Sequence, residues 1–263
     1  MKQIIFTDLD GTLLDYNTYS FKKAQDALRL LNIKKIPLII CTSKTRAEIE
    51  YYRKKLGNRV PFISENGGAI FIPKNYFKFQ FSFSKTDKNY FIIELGTDYN
   101  KLISVIKKIK KSNINIGNFS DMSAKEVSKI TNLSVRNAKL AKKRNYDEPF
   151  LLYDKKKEKD LIKIIKKNKL NYTKGTRFYH LMGNFDKGKA VKILINLFKR
   201  KYNKITTYGF GDSKNDFEML NSIDNAYLVM KKNKKYASKK YKKADGVGPI
   251  GWSKVVNEEI LNN

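Results

Sequence analysis

The sequence is short of acids, thiols, imidazoles and long apolar runs. Its 263 residues hold one cysteine, Cys41, and one histidine, His180. A single cysteine excludes an intrachain disulfide, and one cysteine with one histidine provides no Cys/His set for a structural zinc. Any bound metal should therefore be held by oxygen. The apolar stretches, such as residues 4–6 and 37–41, fall far below the ~20 residues that span a bilayer, so no membrane helix is expected. The run Thr7-Asp8-Leu9-Asp10 comes too early to leave room for the apolar centre and cleavage site of a secretory signal. A cytoplasmic location is the expectation.

Acids number 25 against 55 Lys plus Arg, a formal charge of +30. Such an excess draws anions and could support contacts to nucleic-acid phosphates. The lysines are spread along the chain, however, and many fall on the polar side of helical patterns. Residues 161–167, Leu-Ile-Lys-Ile-Ile-Lys-Lys, are one case. A solvated face accounts for them, and the charge alone assigns no function.

Short apolar or β-branched runs at residues 3–7, 37–42, 60–64 and 206–211 each end in small or polar residues and read as buried strands. Helical periodicity separates them at 21–31, 46–56 and 187–202. Strands alternating with helices predict an α/β fold with a parallel sheet covered on both faces. The middle differs: alternating stretches (90–95, 150–153, 177–181) lie among basic amphipathic helices (99–111, 123–131, 135–143, 157–167). The pattern predicts an α+β module at 83–183 inserted into a core of 1–82 and 184–263, with no internal repeat or flexible linker.

The chemistry concentrates at strand ends. Ile4-Ile5-Phe6-Thr7-Asp8-Leu9-Asp10-Gly11-Thr12 delivers two carboxylates two residues apart, on one side of a strand, into a turn that glycine permits. One carboxylate there can attack phosphorus while the other moves protons. Gly209-Phe210-Gly211-Asp212-Ser213-Lys214-Asn215-Asp216 is a second strand running into paired acids. Two such clusters at parallel strand ends can share one Mg2+, which prefers oxygen ligands and retains waters. Thr42 ends another predicted strand, and Lys187 opens a helix after Asp186. A hydroxyl and an ammonium are what a transferring phosphoryl group needs.

Asp8-x-Asp10-Gly11-Thr12, Thr42, Lys187 and Gly211-Asp212-x-x-Asn215-Asp216, in that order, resemble the four motifs of the haloacid dehalogenase superfamily. The resemblance covers the whole chain, implies a Rossmann-like core, and matches the 83–183 insert to a type C2 cap. Four blocks resemble the mannosyl-3-phosphoglycerate phosphatase family more narrowly: Thr42-Ser43-Lys44-Thr45-Arg46-Ala47-Glu48, the run from Ser64-Glu65-Asn66-Gly67-Gly68 to Pro73, Asp147-Glu148-Pro149-Phe150, and Gly248-Pro249-x-Gly251-Trp252.

The resemblance implies an Mg2+-dependent phosphoric monoester hydrolase that releases mannosylglycerate, a compatible solute, through an aspartyl-phosphate. Asp8 would be the nucleophile and Asp10 the acid and base. The Asp8 carboxylate, the Asp10 carbonyl and Asp212 would hold the metal, with Asp216 as ligand or orienting neighbour. Thr42 and Lys187 would bind phosphoryl oxygens, and Asn215 would shape the loop or touch phosphate. Expected readers of the substrate are Ser43, Lys44, Asn66, Gly67, Arg144, Glu148, Arg177 and His180. The implied partners are a phosphorylated sugar-glycerate and, functionally, the synthase that makes it. Glucosyl-3-phosphoglycerate or another sugar phosphate is the alternative substrate. A nucleic-acid-binding protein on a degenerate version of the fold is the remaining one, and the intact acids, hydroxyl and lysine argue against it.

Overall fold

In strand β1 (Lys2–Thr7) the side chains of Ile4 and Phe6 enter one apolar cluster and Ile5 the other, as the two-residue period of a strand requires. A strand buried on both faces belongs at the centre of a covered sheet. The computed structural model, which describes residues 1–175 and 177–261, places it there. β1 is followed by α1 (Gln25–Ile33), β2 (Leu38–Cys41), α2 (Arg46–Leu56), β3 (Phe62–Ser64), β4 (Ala69–Pro73), β5 (Lys85–Thr86) and β6 (Tyr90–Glu94).

An inserted stretch runs through α3 (Tyr99–Lys111), β7 (Ile116–Asn118), α4 (Ala124–Thr131), α5 (Val135–Ala141), β8 (Asp147–Leu152), α6 (Glu158–Lys167), β9 (Asn171–Lys174) and β10 (Tyr179–Met182). The chain then returns through α7 (Lys187–Tyr202), β11 (Ile205–Gly211), α8 (Phe217–Leu220), β12 (Asn225–Met230), β13 (Lys242–Val247) and α9 (Pro249–Val255).

The large sheet has the order β13-β12-β11-β1-β2-β3-β4-β6-β5. It is parallel from β13 to β3 and antiparallel from β4 onward. Ile5, Leu28, Ile49 and Trp252 pack on one face, and Ile4, Phe6, Leu194, Phe198 and Met219 on the other. Burying one such side chain contributes about 1.5–3 kcal/mol. β1 has β2 on one side and β11 on the other. The carboxyl ends of these strands therefore open a crevice where the winding reverses, the usual ligand position in such sheets.

The second sheet, β7-β8-β10-β9, is antiparallel. One face is closed by α3 and α6 through Val105, Ile109, Leu161 and Ile165 against Phe150 and Leu181. Pro149 and His180, on the opposite face, line a cavity shared with the crevice.

The chain differs from the sequence-based division at one end of the insert. Residues 90–94 alternate as expected, but β6 pairs antiparallel with β4 from Ala69↔Glu94 to Pro73↔Tyr90. It therefore extends the large sheet, and the Leu95 and Gly96 N–H groups still bond the Gly68 carbonyl. The inserted elements begin after Gly96 rather than at residue 83. Alternation identifies a half-buried strand but not the sheet that recruits it, because the partner strand is set by a distant segment.

Candidate active site

β1 ends on Asp8, whose N–H bonds the Phe210 carbonyl of β11 at 2.9 Å. The chain then turns at Gly11, with φ +77°, a left-handed conformation that glycine adopts freely. Lys187, in the first turn of α7 and fully buried, donates to Asp8 Oδ1 at 2.8 Å and to Asp216 Oδ1 at 2.6 Å. Asp216 Oδ2 accepts from the N–H groups of Asp212 and Ser213 at 3.0 Å each. Asp216 thus orients both the lysine and the loop that carries Asp212.

Asp8, Asp212 and Asp216 each bring a carboxylate oxygen within 4.8 Å of the others. Burial pushes Asp8 up to about 6, against the pull of Lys187 and with the repulsion of Asp216. Burial, then the charges of Asp216 and Asp8, push Asp212 up to about 8. Three buried carboxylates against one ammonium leave two negative charges uncompensated, which a divalent cation with oxygen preference fits. The Asp10 carboxylate lies outside this group and forms an ion pair with Lys44 Nζ at 2.8 Å. The Thr42 hydroxyl, at the end of β2, is completely buried and has no hydrogen-bond partner among the described residues. A buried donor left unpaired costs about 1–3 kcal/mol, so this hydroxyl serves a ligand better than the fold.

Lys44 is buried among Asp10, Glu48 at 3.4 Å and the Tyr19 ring at 5.1 Å. Although burial opposes it, the carboxylates of Asp10 and Glu48 hold its ammonium well above the ordinary lysine range. Helix α2 fixes this stretch through a Thr45–Glu48 capping box, a device worth about 1 kcal/mol.

Above the acids is a cavity of about 120 Å³ walled by both units. Asp8, Asp10, Ser43, Lys44, Asp212 and Asn215 come from the core, and Arg144, Arg177 and His180 from the insert. Thr42 and Lys187 lie buried and are not part of its wall. Arg144 donates to the Ser43 carbonyl at 3.0 Å and pairs with Asp147. Arg177 donates to the Tyr16 hydroxyl at 2.8 Å and to the Thr131 carbonyl at 2.9 Å. His180 Nδ1 faces Asp147 Oδ2 at 3.0 Å. Burial would raise Asp147, but Arg144 and His180 outweigh it and hold the carboxylate below its usual range.

Three expected substrate readers are elsewhere. Glu148 follows Asp147 on β8, so it points to the other face of the sheet. There its carboxylate accepts from the Tyr99 hydroxyl at 2.5 Å, the Ser120 N–H at 2.7 Å and Asn118 Nδ2 at 3.1 Å. Asn66 and Gly67 sit behind the wall: Asn66 donates to Asp147 at 2.8 Å and accepts from Asn215 at 3.3 Å. Gly67, with φ +96°, passes so close to α7 that a Cβ would lie 2.2 Å from the Asp186 carbonyl oxygen. Sequence reasoning missed Tyr16, Tyr19 and Asp147. The short spacing from Asp10 was the only local signal for the tyrosines, while Asp147 stood inside a quoted block without a role.

The comparisons with known proteins agree with this geometry. A family model described as haloacid dehalogenase-like hydrolase matches residues 5–247. A Methanococcoides burtonii protein named glucosyl-3-phosphoglycerate/mannosyl-3-phosphoglycerate phosphatase is 47% identical over 269 residues, covering 100% of this chain and 99% of the relative. A Pyrococcus furiosus mannosyl-3-phosphoglycerate phosphatase is 38% identical, covering 87% and 91%. Among solved structures, a Thermoplasma acidophilum protein superposes with a TM-score of 0.71 at 18% identity, covering 99% of both chains. A haloacid dehalogenase subclass IIB sugar phosphatase gives 0.64 at 17% identity, covering 97% and 98%. The chain belongs to the haloacid dehalogenase-like hydrolases, in the branch of the glucosyl- and mannosyl-3-phosphoglycerate phosphatases.

Proposed function

We propose that this chain hydrolyses mannosyl-3-phosphoglycerate to mannosylglycerate and phosphate, with Asp8 as nucleophile. The observation that carries the reading is the buried Lys187, which holds the Asp8 carboxylate in one orientation beside Asp212 and beneath a cavity rich in cations. In the first step an Asp8 oxygen bonds phosphorus as the ester C–O–P oxygen leaves, and Asp10 gives that oxygen its proton. In the second, Asp10 takes a proton from water, the hydroxyl oxygen attacks phosphorus, and the Asp8 carboxylate departs. Splitting the hydrolysis in this way replaces one hard displacement by two easier ones. Thr42 and Lys187 provide donors to the phosphoryl oxygens.

Asp8, Asp212 and the Asp10 backbone carbonyl would hold Mg2+, with Asp216 steering Lys187 and the Asp212 loop. Bound there, the ion supplies charge stabilisation for the phosphoryl oxygens. Lys44, Arg144 and Arg177 offer cations to the glycerate carboxylate and the polar groups beyond it. We assign the inserted unit the role of a cap that excludes water over this site. The supplying reaction is a glycosyl transfer onto 3-phosphoglycerate by a synthase. So anionic an ester does not cross a bilayer, which is consistent with a cytoplasmic enzyme.

A second substrate is favoured by the names of two relatives, 47% and 44% identical, which give both the glucosyl and the mannosyl ester. Phosphate release from mannosyl-3-phosphoglycerate, glucosyl-3-phosphoglycerate, 3-phosphoglycerate and mannose-6-phosphate, with and without Mg2+, tests both readings. The expected result is metal-dependent turnover of the two glycosylated esters, reduced roughly 10⁴-fold or more in Asp8→Asn, the scale of losing a nucleophile. Preference for mannose-6-phosphate would overturn the substrate, and turnover by Asp8→Asn would overturn the mechanism.

A further inference from the structure

The cavity wall is rich in donors, since Lys44, Arg144 and Arg177 all carry cations. These suit a carboxylate or a phosphate. A sugar brings hydroxyl groups, which also need acceptors. The acids Asp10 and Glu48 in the same wall are tied to Lys44, Asp10 through Oδ2 with Oδ1 left unpartnered among the described residues, and both belong to the core, so an acceptor on the inserted unit would be a separate one.

His180 meets that need. Asp147 lies completely buried behind it, with one carboxylate oxygen paired to Arg144 and the other accepting from Asn66 Nδ2 at 2.8 Å while facing His180 Nδ1 at 3.0 Å. An ionised carboxylate only accepts, so the imidazole must carry its proton on Nδ1. In a neutral ring so oriented, the other nitrogen, Nε2, is an acceptor. His180 lines the cavity, and a Cβ added at Gly175 would stand 3.8 Å from Nε2, at ordinary van der Waals contact.

We propose that His180 Nε2 accepts a hydrogen bond from a hydroxyl of the substrate's sugar, and that Asp147 is the positioning residue that fixes the ring for it. Asp147 is in turn joined through Asn66 to Asn215 of the core loop that carries Asp212. Sugar recognition in the inserted unit is thereby registered against the phosphoryl site in the core. The inference rests on the glycosylated phosphoglycerate reading given above.

The single histidine makes the test direct. Long-range 1H–15N spectra of the full-length protein at neutral pH should show one ring, with Nδ1 protonated and Nε2 bare. A proton on Nε2, or on both nitrogens, would overturn the proposal. Asp147→Asn, whose amide can donate to Nδ1, should move the proton to Nε2. If that variant fails to fold, His180→Asn still decides, because its amide nitrogen can replace Nδ1 but nothing replaces Nε2. KM for the glycosylated ester should then rise about tenfold more than KM for 3-phosphoglycerate, the scale of one lost hydroxyl contact. Equal changes on both esters, or none, would overturn the proposal. Failure of the wild-type protein to cleave any glycosylated ester would instead remove the substrate reading beneath it.

Discussion

Lys187 holds the site together at the scale of single residues. Its ammonium lies between Asp8 and Asp216 with no solvent exposure of the side chain. Removing one partner of a buried ion pair leaves the other charge uncompensated, a loss of about 3–5 kcal/mol. Lys187→Ala should accordingly unfold at a lower denaturant midpoint by that amount and lose turnover, whereas substitution of an exposed lysine such as Lys199 should move neither. A second expectation concerns the metal. Asp8 and Asp212 are raised from 3.8 to about 6 and about 8, so between pH ~4 and ~8 the folded chain binds more protons than the unfolded one. In the absence of divalent ions, stability is then greatest at low pH and falls as pH rises through those values. Thermal unfolding with and without Mg2+ checks the sign: the increase in Tm on adding the ion should be larger at pH 8 than at pH 6.

The elements explain why these residues converge. Three core strands carry a functional group just past the carboxyl end: Asp8 after β1, Thr42 after β2 and Asp212 after β11. Parallel register brings these ends to one edge of the sheet. That much is legible along the chain, because an apolar run followed by an acid or hydroxyl is a local pattern. The approach of the β3–β4 turn to α7 is not local. Gly67 touches the backbone that starts Lys187's helix, so Gly67→Ala meets both a left-handed backbone penalty of about 1–2 kcal/mol and a clash with Asp186. It should lower the unfolding midpoint by at least about 2 kcal/mol and displace Lys187, which activity measured below the transition would register as a reduced kcat. A variant as stable and active as the wild type would contradict this packing. β6 teaches the complementary lesson, since its alternation was correct and its assignment to the insert was not. Glu148 is similar: a strand was expected only at 150–153, and β8 begins earlier, at Asp147, so Glu148 lies within it and turns to the face away from the cavity.

At the scale of the molecule, the +30 charge belongs to a chain whose expected ligand is anionic. A field of this kind speeds encounter and is screened by salt. Raising ionic strength from about 0.01 to 0.1 M shortens the Debye length from ~30 to ~10 Å. kcat/KM should fall over that range while kcat holds, and a salt-independent kcat/KM would remove the charge from the encounter step. The two units also grip each other. Glu65 accepts from the backbone N–H groups of Asn145, Tyr146 and Asp147 at 3.0, 2.8 and 3.1 Å, and Arg144 reaches back to Ser43.

The sequence by itself determined the α/β class, the order of the acidic, hydroxyl and lysine motifs, the presence of an inserted α+β unit and, through its one cysteine, the exclusion of an intrachain disulfide. These depend on neighbours a few residues apart, where periodicity and residue type are sufficient. Only the tertiary structure decided that Asp10 pairs with Lys44, that Asp216 reaches both Lys187 and the Asp212 loop, that Glu148 turns away from the cavity and that Asp147 backs His180. Each of those outcomes is set by which charged or polar group meets another across the fold after both are buried, and burial makes such pairings obligatory without making them visible along the chain.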